Sequence, residues 1–444
     1  MEWNALVSVL EEKNKKIISQ NTGFQFKKQG CLICAQGLTV EARGFEASIG
    51  SRCYIEVENQ LEPAVITGFS ESGIYLMPLK MGLALSPKMW VHPGEKASSL
   101  PVGEALLGRV LDGSGQALDK LGPIESKIKR SLWAPPRNPL DIMPVTEVLD
   151  VGVKAINGLL TVGKGQRLGL FAGSGVGKSV LLGMLARLTE ADVIVVALIG
   201  ERNREVKEFL DYNLKSSLKK SVVIASPADY SPLLRLQGAW YAMSIAEQFR
   251  DEGKSVLFLF DSLTRFSQAQ REIGLGMGEP PATRGYPPSA FAILPQLVER
   301  AGNGNLNSKG SITAIFTVLA EGDDQQDPIV DSARAILDGH IVLSREYADK
   351  GHYPAIDIEL SISRVMSHIN SEDHLKQALL FKKYYALYRE NKDMIAMGAY
   401  VAGSNPDLDV ALQKNQAMDT LLTQGMYEKF NFNDTVAQMQ HVLQ

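Results

Sequence analysis

The sequence predicts a multidomain α/β protein with an N-terminal small β-barrel or sandwich, a central parallel-sheet domain and a C-terminal helical domain. The 444 residues are more than one hydrophobic core usually organises. Residues 23–94 contain short strand-like runs separated by glycine, which is typical of a small barrel or sandwich. Beyond Asp150, nearly continuous apolar runs alternate with helix-length segments, as in a parallel sheet covered on both faces.

Shifts in composition along the chain place the boundaries of the predicted domains. A proline cluster over 134–139 holds the chain extended and blocks helix, which suits a connector. The predicted segments are an N-terminal amphipathic helix at 1–20, a β-barrel at 21–95, a proline-containing connector at 96–150, a parallel-sheet domain at 151–370 and a helical domain at 371–444.

Two further predictions concern individual elements. The apolar runs beyond Asp150 that we expect to be buried strands are Arg167–Phe171, Val193–Ile199, Val222–Ala225, Val256–Phe260, Ile312–Val318 and Ile341–Leu343. The N-terminal helix has an apolar stripe that begins at Trp3, so it either packs on its own domain or docks on a partner.

Composition and charge exclude several classes of protein. With 45% hydrophobic residues and a net charge of −4, the chain has the composition of a soluble globular protein without a basic field for nucleic acid or anionic lipid. The chain starts without the pattern of a signal peptide, and its longest apolar runs are too short to span a bilayer. We therefore expect a cytoplasmic protein, with at most peripheral membrane contact.

The three cysteines, Cys31, Cys34 and Cys53, are too few for a disulfide framework and indicate a reducing compartment. Cys31 and Cys34 form a single C-x-x-C pattern in a strand-like run. A zinc or redox site would need a second ligand pair or a thioredoxin-like context, so we expect both thiols to pack in the core.

A glycine-rich segment with the sequence AGSGVGKS, residues 172–179, lies between a predicted strand and a helical run. This is the P-loop pattern, with Ala172 at the usual first glycine, and its backbone N–H groups can face phosphate oxygens. Lys178 is expected to reach the β- and γ-phosphates, and the Ser179 hydroxyl to bind Mg²⁺. The predicted phosphate-binding residues are Gly173, Ser174, Gly175, Val176, Gly177, Lys178 and Ser179.

Acidic residues at the ends of two other predicted strands complete a hydrolytic site. Asp261 follows an apolar strand and can hold Mg²⁺ through its waters. Glu201 follows Val193–Ile199 and can act as general base or position the attacking water. We expect Arg202 and Glu205 to shape the phosphate and magnesium surroundings, with Glu205 reaching the metal through water; on the residues alone, this stretch could also be a solvated charge run.

These motifs, together with GERNRE at 200–205 and YPAID at 353–357, resemble the rotary ATPases, relatives of the ATP synthase catalytic subunit. Within that family, GEPPATRGYPP at 278–288 resembles the export branch, which the flagellar enzymes share with the virulence type III secretion ATPases. EGDDQQDP at 321–328 is most similar to the version in the flagellum-specific protein-export ATPases. The resemblance implies a RecA-like P-loop NTPase centre that hydrolyses ATP with Mg²⁺. It also implies that Tyr353 stacks on adenine and that Arg364 is an arginine finger given to a neighbouring copy in a homohexamer, with Arg265 as a further phosphate-site residue.

The resemblance also implies partners and a location. The N-terminal helix corresponds to the segment that binds an export regulator or stator protein, and the acidic loop at 323–327 to a loop facing the central pore, where a stalk-like protein or a substrate passes. That loop could equally be a solvated turn. Export gate, chaperones and export substrates are further expected partners, at the inner face of the cytoplasmic membrane.

Three other functions remain open at this point. A virulence type III secretion ATPase would share every catalytic residue, whereas a proton-driven ATP synthase subunit would need a rotor and a similar partner subunit. An RNA translocase is disfavoured by the negative net charge.

Overall fold

The computed structural model describes residues 29–71, 73–94, 99–305, 308–320, 324 and 326–444. They form two compact units, one containing the described residues up to Pro78 and from Gly82 to Gly94, the other Leu79–Met81 and the residues from 99 onward. The predicted N-terminal helix lies outside the described residues. None of the helices in the described part of the chain is long and apolar enough to cross a membrane.

The first unit is the predicted β-barrel. Its strands pair antiparallel in the closed order β1-β2-β5-β4-β3-β6. Alternating residues of β3 point inward, and Cys53 and Ile55 are fully buried in the barrel core. The strands are β1 Gly30–Gln36, β2 Thr39–Arg43, β3 Arg52–Val57, β4 Gln60–Phe69, β5 Ile74–Pro78 and β6 Trp90–Pro93.

The prediction that both thiols of the C-x-x-C pattern are core residues is wrong for Cys34. Cys31 is half-buried and Cys34 is exposed, because β1 is irregular between Leu32 and Cys34 and only the first part of the strand faces the barrel core. Among the described residues there is no group of three or more His, Cys, Asp or Glu side chains placed to hold a metal.

The second unit is built on a sheet in the order β17-β16-β10-β15-β13-β11-β12-β8, with β14 beside β15. The strands from β8 to β16 in this order run parallel, and β17 and β14 are antiparallel to their neighbours. All six predicted strands are present. The strands are β8 Val110–Leu111, β10 Arg167–Ala172, β11 Val193–Ile199, β12 Ser221–Ser226, β13 Ser255–Asp261, β14 Gly302–Asn303, β15 Ser311–Leu319, β16 Gly339–Leu343 and β17 Ile356–Ser363; β7 Ser99–Pro101 and β9 Lys129–Ser131 form a separate pair.

Helices cover this sheet and form the C-terminal end of the chain. The helix α2 buries most of its length because it follows β10 directly and packs back on the sheet. The α-helices are α1 Lys154–Leu159, α2 Lys178–Leu188, α3 Asn203–Glu208, α4 Pro232–Asp251, α5 Leu263–Gly276, α6 Pro288–Val298, α7 Pro328–Ile336, α8 Arg345–Asp349, α9 Met366–Ile369, α10 Glu372–Ala396, α11 Pro406–Leu422 and α12 Phe432–Leu443. Short 3₁₀ turns occur at Glu104–Leu106, Pro139–Asp141, Leu218–Lys220 and Thr283–Gly285, and a π-helical turn at Phe209–Asn213.

A buried ion pair joins α4 to the segment that follows α6. Arg300 donates from Nε to Glu247 Oε1 over 2.9 Å and from Nη2 to Oε2 over 2.7 Å. The remaining guanidinium donors bind the Leu132 carbonyl and the Ser244 hydroxyl, and Arg130 approaches Glu247 within 3.5 Å. The Glu247 side chain is only 2% exposed. Its charge is therefore fully compensated inside the protein.

Candidate active site

The P-loop connects β10 to α2 and has the strand–loop–helix geometry that the sequence predicts. Gly175 and Gly177 have φ angles of +78° and +94°, which side-chain-bearing residues rarely adopt. A Cβ at position 177 would lie 3.5 Å from the ring of Tyr353. Gly177 therefore permits the turn into α2, whereas a Cβ there would make only an ordinary van der Waals contact with Tyr353, a residue that is 45% exposed.

The parallel order of the sheet brings the predicted charged residues together. β10, β15, β13 and β11 are consecutive neighbours, so the residues at their carboxyl ends meet at one edge. Lys178 Nζ donates to Asp261 Oδ1 over 2.6 Å and to Glu201 Oε1 over 3.5 Å. The three side chains are 7–11% exposed, which makes this a nearly buried cluster of one cation and two carboxylates.

Burial and charge shift the proton affinities in this cluster. Burial alone would lower the pKa of Lys178, but Asp261 and Glu201 raise it above its ordinary value. Burial raises the pKa of Glu201 to about 8; the charge of Asp261 adds to the rise, and that of Lys178 opposes it. Lys178 is therefore firmly cationic, and Glu201 is a carboxyl whose proton affinity suits exchange with water near neutral pH.

Local backbone geometry sets the position of Glu201. Gly200, at the end of β11, has a φ angle of +72°, and a Cβ there would lie 2.7 Å from Arg265 Cβ. Arg265 donates from Nη1 to Gln268, whereas its buried Nε has no hydrogen-bond partner in the described structure. A buried donor without a partner is costly, so this nitrogen is an unsatisfied polar group next to Gly200.

A cavity of about 580 Å³ lies above this cluster. Its wall includes P-loop residues 172–175 and 177–179, Val180, Glu201 and Arg265. Arg202 and Glu205 also line it, and their side chains are 84% and 42% exposed with 3.8 Å between their charged atoms. Val176, which the sequence predicts to bind phosphate, faces the core instead and is 1% exposed. This is expected for a residue that contributes only its backbone to the loop.

Arg364 lies apart from the cavity of its own chain. It is exposed just beyond the end of β17, and its Nη2 is 3.5 Å from the Arg334 carbonyl. Its backbone N–H donates to the Asp338 carbonyl over 3.0 Å. Asp338 in turn binds Arg167, the first residue of β10, through both side-chain oxygens at 2.9 and 3.1 Å.

Two site residues were missed by the sequence reasoning. Arg345 lines the cavity and donates from Nη2 to the carbonyl of Ser174 over 3.0 Å, so it supports the P-loop from outside. Thr317, fully buried on β15, donates to Asp261 Oδ1 over 2.6 Å. A buried hydroxyl in an apolar strand was the signal for Thr317, and no pattern singles out Arg345.

The donor set fits magnesium. Mg²⁺ in phosphate sites takes oxygen ligands and is held by one or two protein groups together with substrate phosphates and water. The Ser179 hydroxyl, on the exposed start of α2, and the Asp261 carboxylate, at the end of β13, are oxygen donors of that kind.

Known proteins resemble this chain over most of its length. The model of the ATP synthase alpha/beta family, nucleotide-binding domain, matches residues 152–363, and that of the T3SS EscN ATPase C-terminal domain matches residues 370–441. The flagellum-specific ATP synthase of Pseudomonas aeruginosa is 54% identical over 420 residues, which cover 94% of this chain and 93% of the relative. The chain belongs to the ATP synthase alpha/beta family. Within it, the chain is an ATPase of the flagellar and type III secretion export branch.

Other relatives of this ATPase agree. The flagellum-specific ATP synthase of Salmonella typhimurium is 53% identical, with 92% of each chain covered. Assembled EscN from the type III secretion system of enteropathogenic E. coli superposes with a TM-score of 0.88 at 41% identity, covering 94% of this chain and 100% of that one. A structure of assembled EscN with its central stalk EscO gives a TM-score of 0.87. The resemblance inferred from the motifs and the predicted fold class are both confirmed.

Proposed function

We propose that this ATPase hydrolyses Mg-ATP to energise protein export through the flagellar type III secretion apparatus, as a homohexamer in which a neighbouring copy completes each site. The observation that carries the proposal is the buried cluster of Lys178, Glu201 and Asp261 at the mouth of the P-loop. Its cation and carboxylates are the groups that phosphate binding, metal binding and water activation require.

Each group has a role in the proposed reaction. The P-loop N–H groups bind phosphate oxygens, and Lys178 moves from the carboxylates to the β- and γ-phosphates. Ser179 and Asp261 would hold Mg²⁺, with Glu205 acting through water, and the metal would offset charge on the phosphates. Glu201 orients the attacking water and takes its proton.

The surroundings of the cluster bind the rest of the nucleotide. Tyr353, beside Gly177, offers an exposed aromatic face on which adenine stacks. Arg265 and the exposed Arg202 stabilise negative charge on the transferred phosphoryl group.

The position of Arg364 supports assembly. Because it is exposed and does not line the cavity of its own chain, it can serve as a finger only for another copy. The assembled state of EscN and its complex with the stalk EscO support a ring with a stalk-like protein in its pore. The acidic loop, whose Asp324 pairs with Arg284 over 2.7 Å, is our candidate for contact with the stalk or with passing substrate.

We place the ring in the cytoplasm, against the inner face of the membrane at the flagellar base. There it meets the export gate, chaperones and export substrates, and a regulator or stator protein binds its N-terminal helix. In a flagellated bacterium that lacks its own export ATPase, expression of this chain should restore secretion of flagellar filament protein. Absence of secretion despite normal ATPase activity would contradict the flagellar assignment.

The catalytic assignment is tested by mixing two inactive variants. Glu201→Gln should bind a fluorescent ATP analogue like the parent, with turnover lower by about 10²–10⁴-fold. Arg364→Ala should also be inactive. In rings formed from equal amounts of both, about a quarter of the interfaces combine an intact Glu201 with an intact finger, so activity returns.

The matched control mixes Glu201→Gln with Lys178→Ala. Both changes then lie on the P-loop side of the interface, so every site contains one of them. No intact site is formed, and activity should stay absent. Recovery in the control mixture, or none in the test mixture, would refute the assignment of Arg364. Normal turnover of Glu201→Gln alone would refute that of Glu201.

A further inference from the structure

Thr317 is a polar residue in a buried, apolar part of the central sheet. It lies near the end of β15, whose last six residues are otherwise apolar, and it is fully buried. β15 runs between the P-loop strand β10 and the strand β13 that carries Asp261. Phe316 pairs with Phe260, so Thr317 and Asp261 follow as neighbours on adjacent strands.

The Thr317 hydroxyl donates its hydrogen bond to the Asp261 carboxylate. Its Oγ1 donates to Oδ1 over 2.6 Å, the same oxygen that accepts from Lys178 Nζ over 2.6 Å. Burying a hydroxyl is unfavourable unless it is hydrogen-bonded, and a bond to an ionised acceptor is stronger than one between neutral groups. Both donors therefore orient the carboxylate through one oxygen, and no described group donates to its other oxygen.

The two donors differ in what nucleotide binding does to them. In the proposed reaction Lys178 transfers to the phosphates, which removes one donor from Asp261. Thr317, fixed within the sheet, remains. Because β-branched side chains are restricted at χ1 and this one is enclosed by the strand neighbours, its hydroxyl keeps its direction.

We propose that Thr317 is a positioning residue for magnesium: it holds Asp261 by one oxygen and leaves the other directed to the metal and its waters. This inference rests on the proposed role of Asp261. Groups that orient a metal-binding carboxylate usually affect metal affinity about 10- to 100-fold.

The test measures how strongly Mg²⁺ improves nucleotide binding, without turnover. The dissociation constant of fluorescent MANT-ADP is determined on the full chain in excess Mg²⁺ and in EDTA, and the ratio is the magnesium enhancement. Thr317→Val should lower this ratio by about 10-fold or more and change the EDTA value by less than about two-fold. Thr317→Ser, which keeps the hydroxyl, should restore most of the ratio.

Two controls separate the possible failures. Thr313→Val removes another buried hydroxyl from the same face of β15, one that accepts from the Gly165 N–H, and should leave the ratio unchanged. Asp261→Asn should lower the ratio. If it does so and Thr317→Val does not, the inference on Thr317 is wrong while the metal site stands.

Two other outcomes would also overturn the inference. If Asp261→Asn leaves the ratio unchanged, the metal assignment fails and the role of Thr317 fails with it. If Thr317→Val weakens binding equally with and without Mg²⁺, the hydroxyl is only structural. Should thermal unfolding show that Thr317→Val does not fold, Thr317→Ala replaces it with the same expected ratio.

Discussion

Removing the Glu247 carboxylate should lower the free energy of unfolding of the second unit, because it breaks a buried ion pair. Glu247→Ala leaves the Arg300 guanidinium buried without the carboxylate that accepts two of its hydrogen bonds. Breaking a buried pair in this way costs about 3–5 kcal/mol. For a unit of about 350 residues, an unfolding entropy of about 2.1 cal/mol/K per residue sums to about 0.7 kcal/mol/K. The melting temperature should therefore fall by about 4–7 °C.

The assay is thermal unfolding of the full chain, followed by circular dichroism with a single heating rate. Glu252→Ala, an exposed change just beyond the end of the same helix, is the matched control and should stay within about 0.5 kcal/mol of the parent. The double variant Glu247→Met with Arg300→Met should melt above Glu247→Ala, because no charge is then left without a partner. A Glu247→Ala melting point within about 1 °C of the parent, or a double variant that melts lowest of all, would refute this reasoning.

Two more predictions concern pH and the P-loop. The hydrogen bond from Arg109 lowers the pKa of Asp119 from 3.8 to about 2, so its stabilisation is fully present above the unfolded value and is lost as the pH falls through the folded one. Asp119→Asn should cost about 1–2 kcal/mol at pH 7, after allowance for solvent screening, and the melting-temperature gap to the parent should close between about pH 4 and pH 2; a gap independent of pH would contradict this. Gly177→Ala forces a side chain into a φ of +94° within the phosphate-binding loop and should weaken ATP-analogue binding by about 10-fold. Gly253→Ala, with a φ of +86° and open space around it outside that loop, should lose only stability; equal binding by both would contradict the role of Gly177.

The sequence predicts the cluster of Lys178, Glu201 and Asp261 because each of the three residues follows a recognisable apolar strand. Parallel strands have their carboxyl ends at one edge of the sheet. An acidic residue directly after a strand and a P-loop directly after a strand are therefore enough to predict that the three residues lie together. The role of Arg364 came only from the resemblance to a known family, since an exposed arginine after a strand carries no signal of its own.

Other features depend on strand order, which local patterns do not contain. Thr317 contacts Asp261 only because β15 lies between β10 and β13, although it follows β13 in the chain. Val110–Leu111 joins the far edge of the sheet beside β12 from a stretch that reads as connector. The prediction for Cys34 rested on the burial usual for a free thiol, and no local pattern shows the irregularity after Leu32, beyond which the strand no longer faces the barrel core.

The hydrogen bonds of Asp338 connect Arg364 to the strand that leads into the P-loop. Its carbonyl holds the backbone of Arg364, and its carboxylate holds the first residue of the strand that leads to the P-loop. If Arg364 acts on the neighbouring copy as proposed, a movement of the sheet during nucleotide binding or hydrolysis at one P-loop would also move the Arg364 that this chain contributes to its neighbour's site.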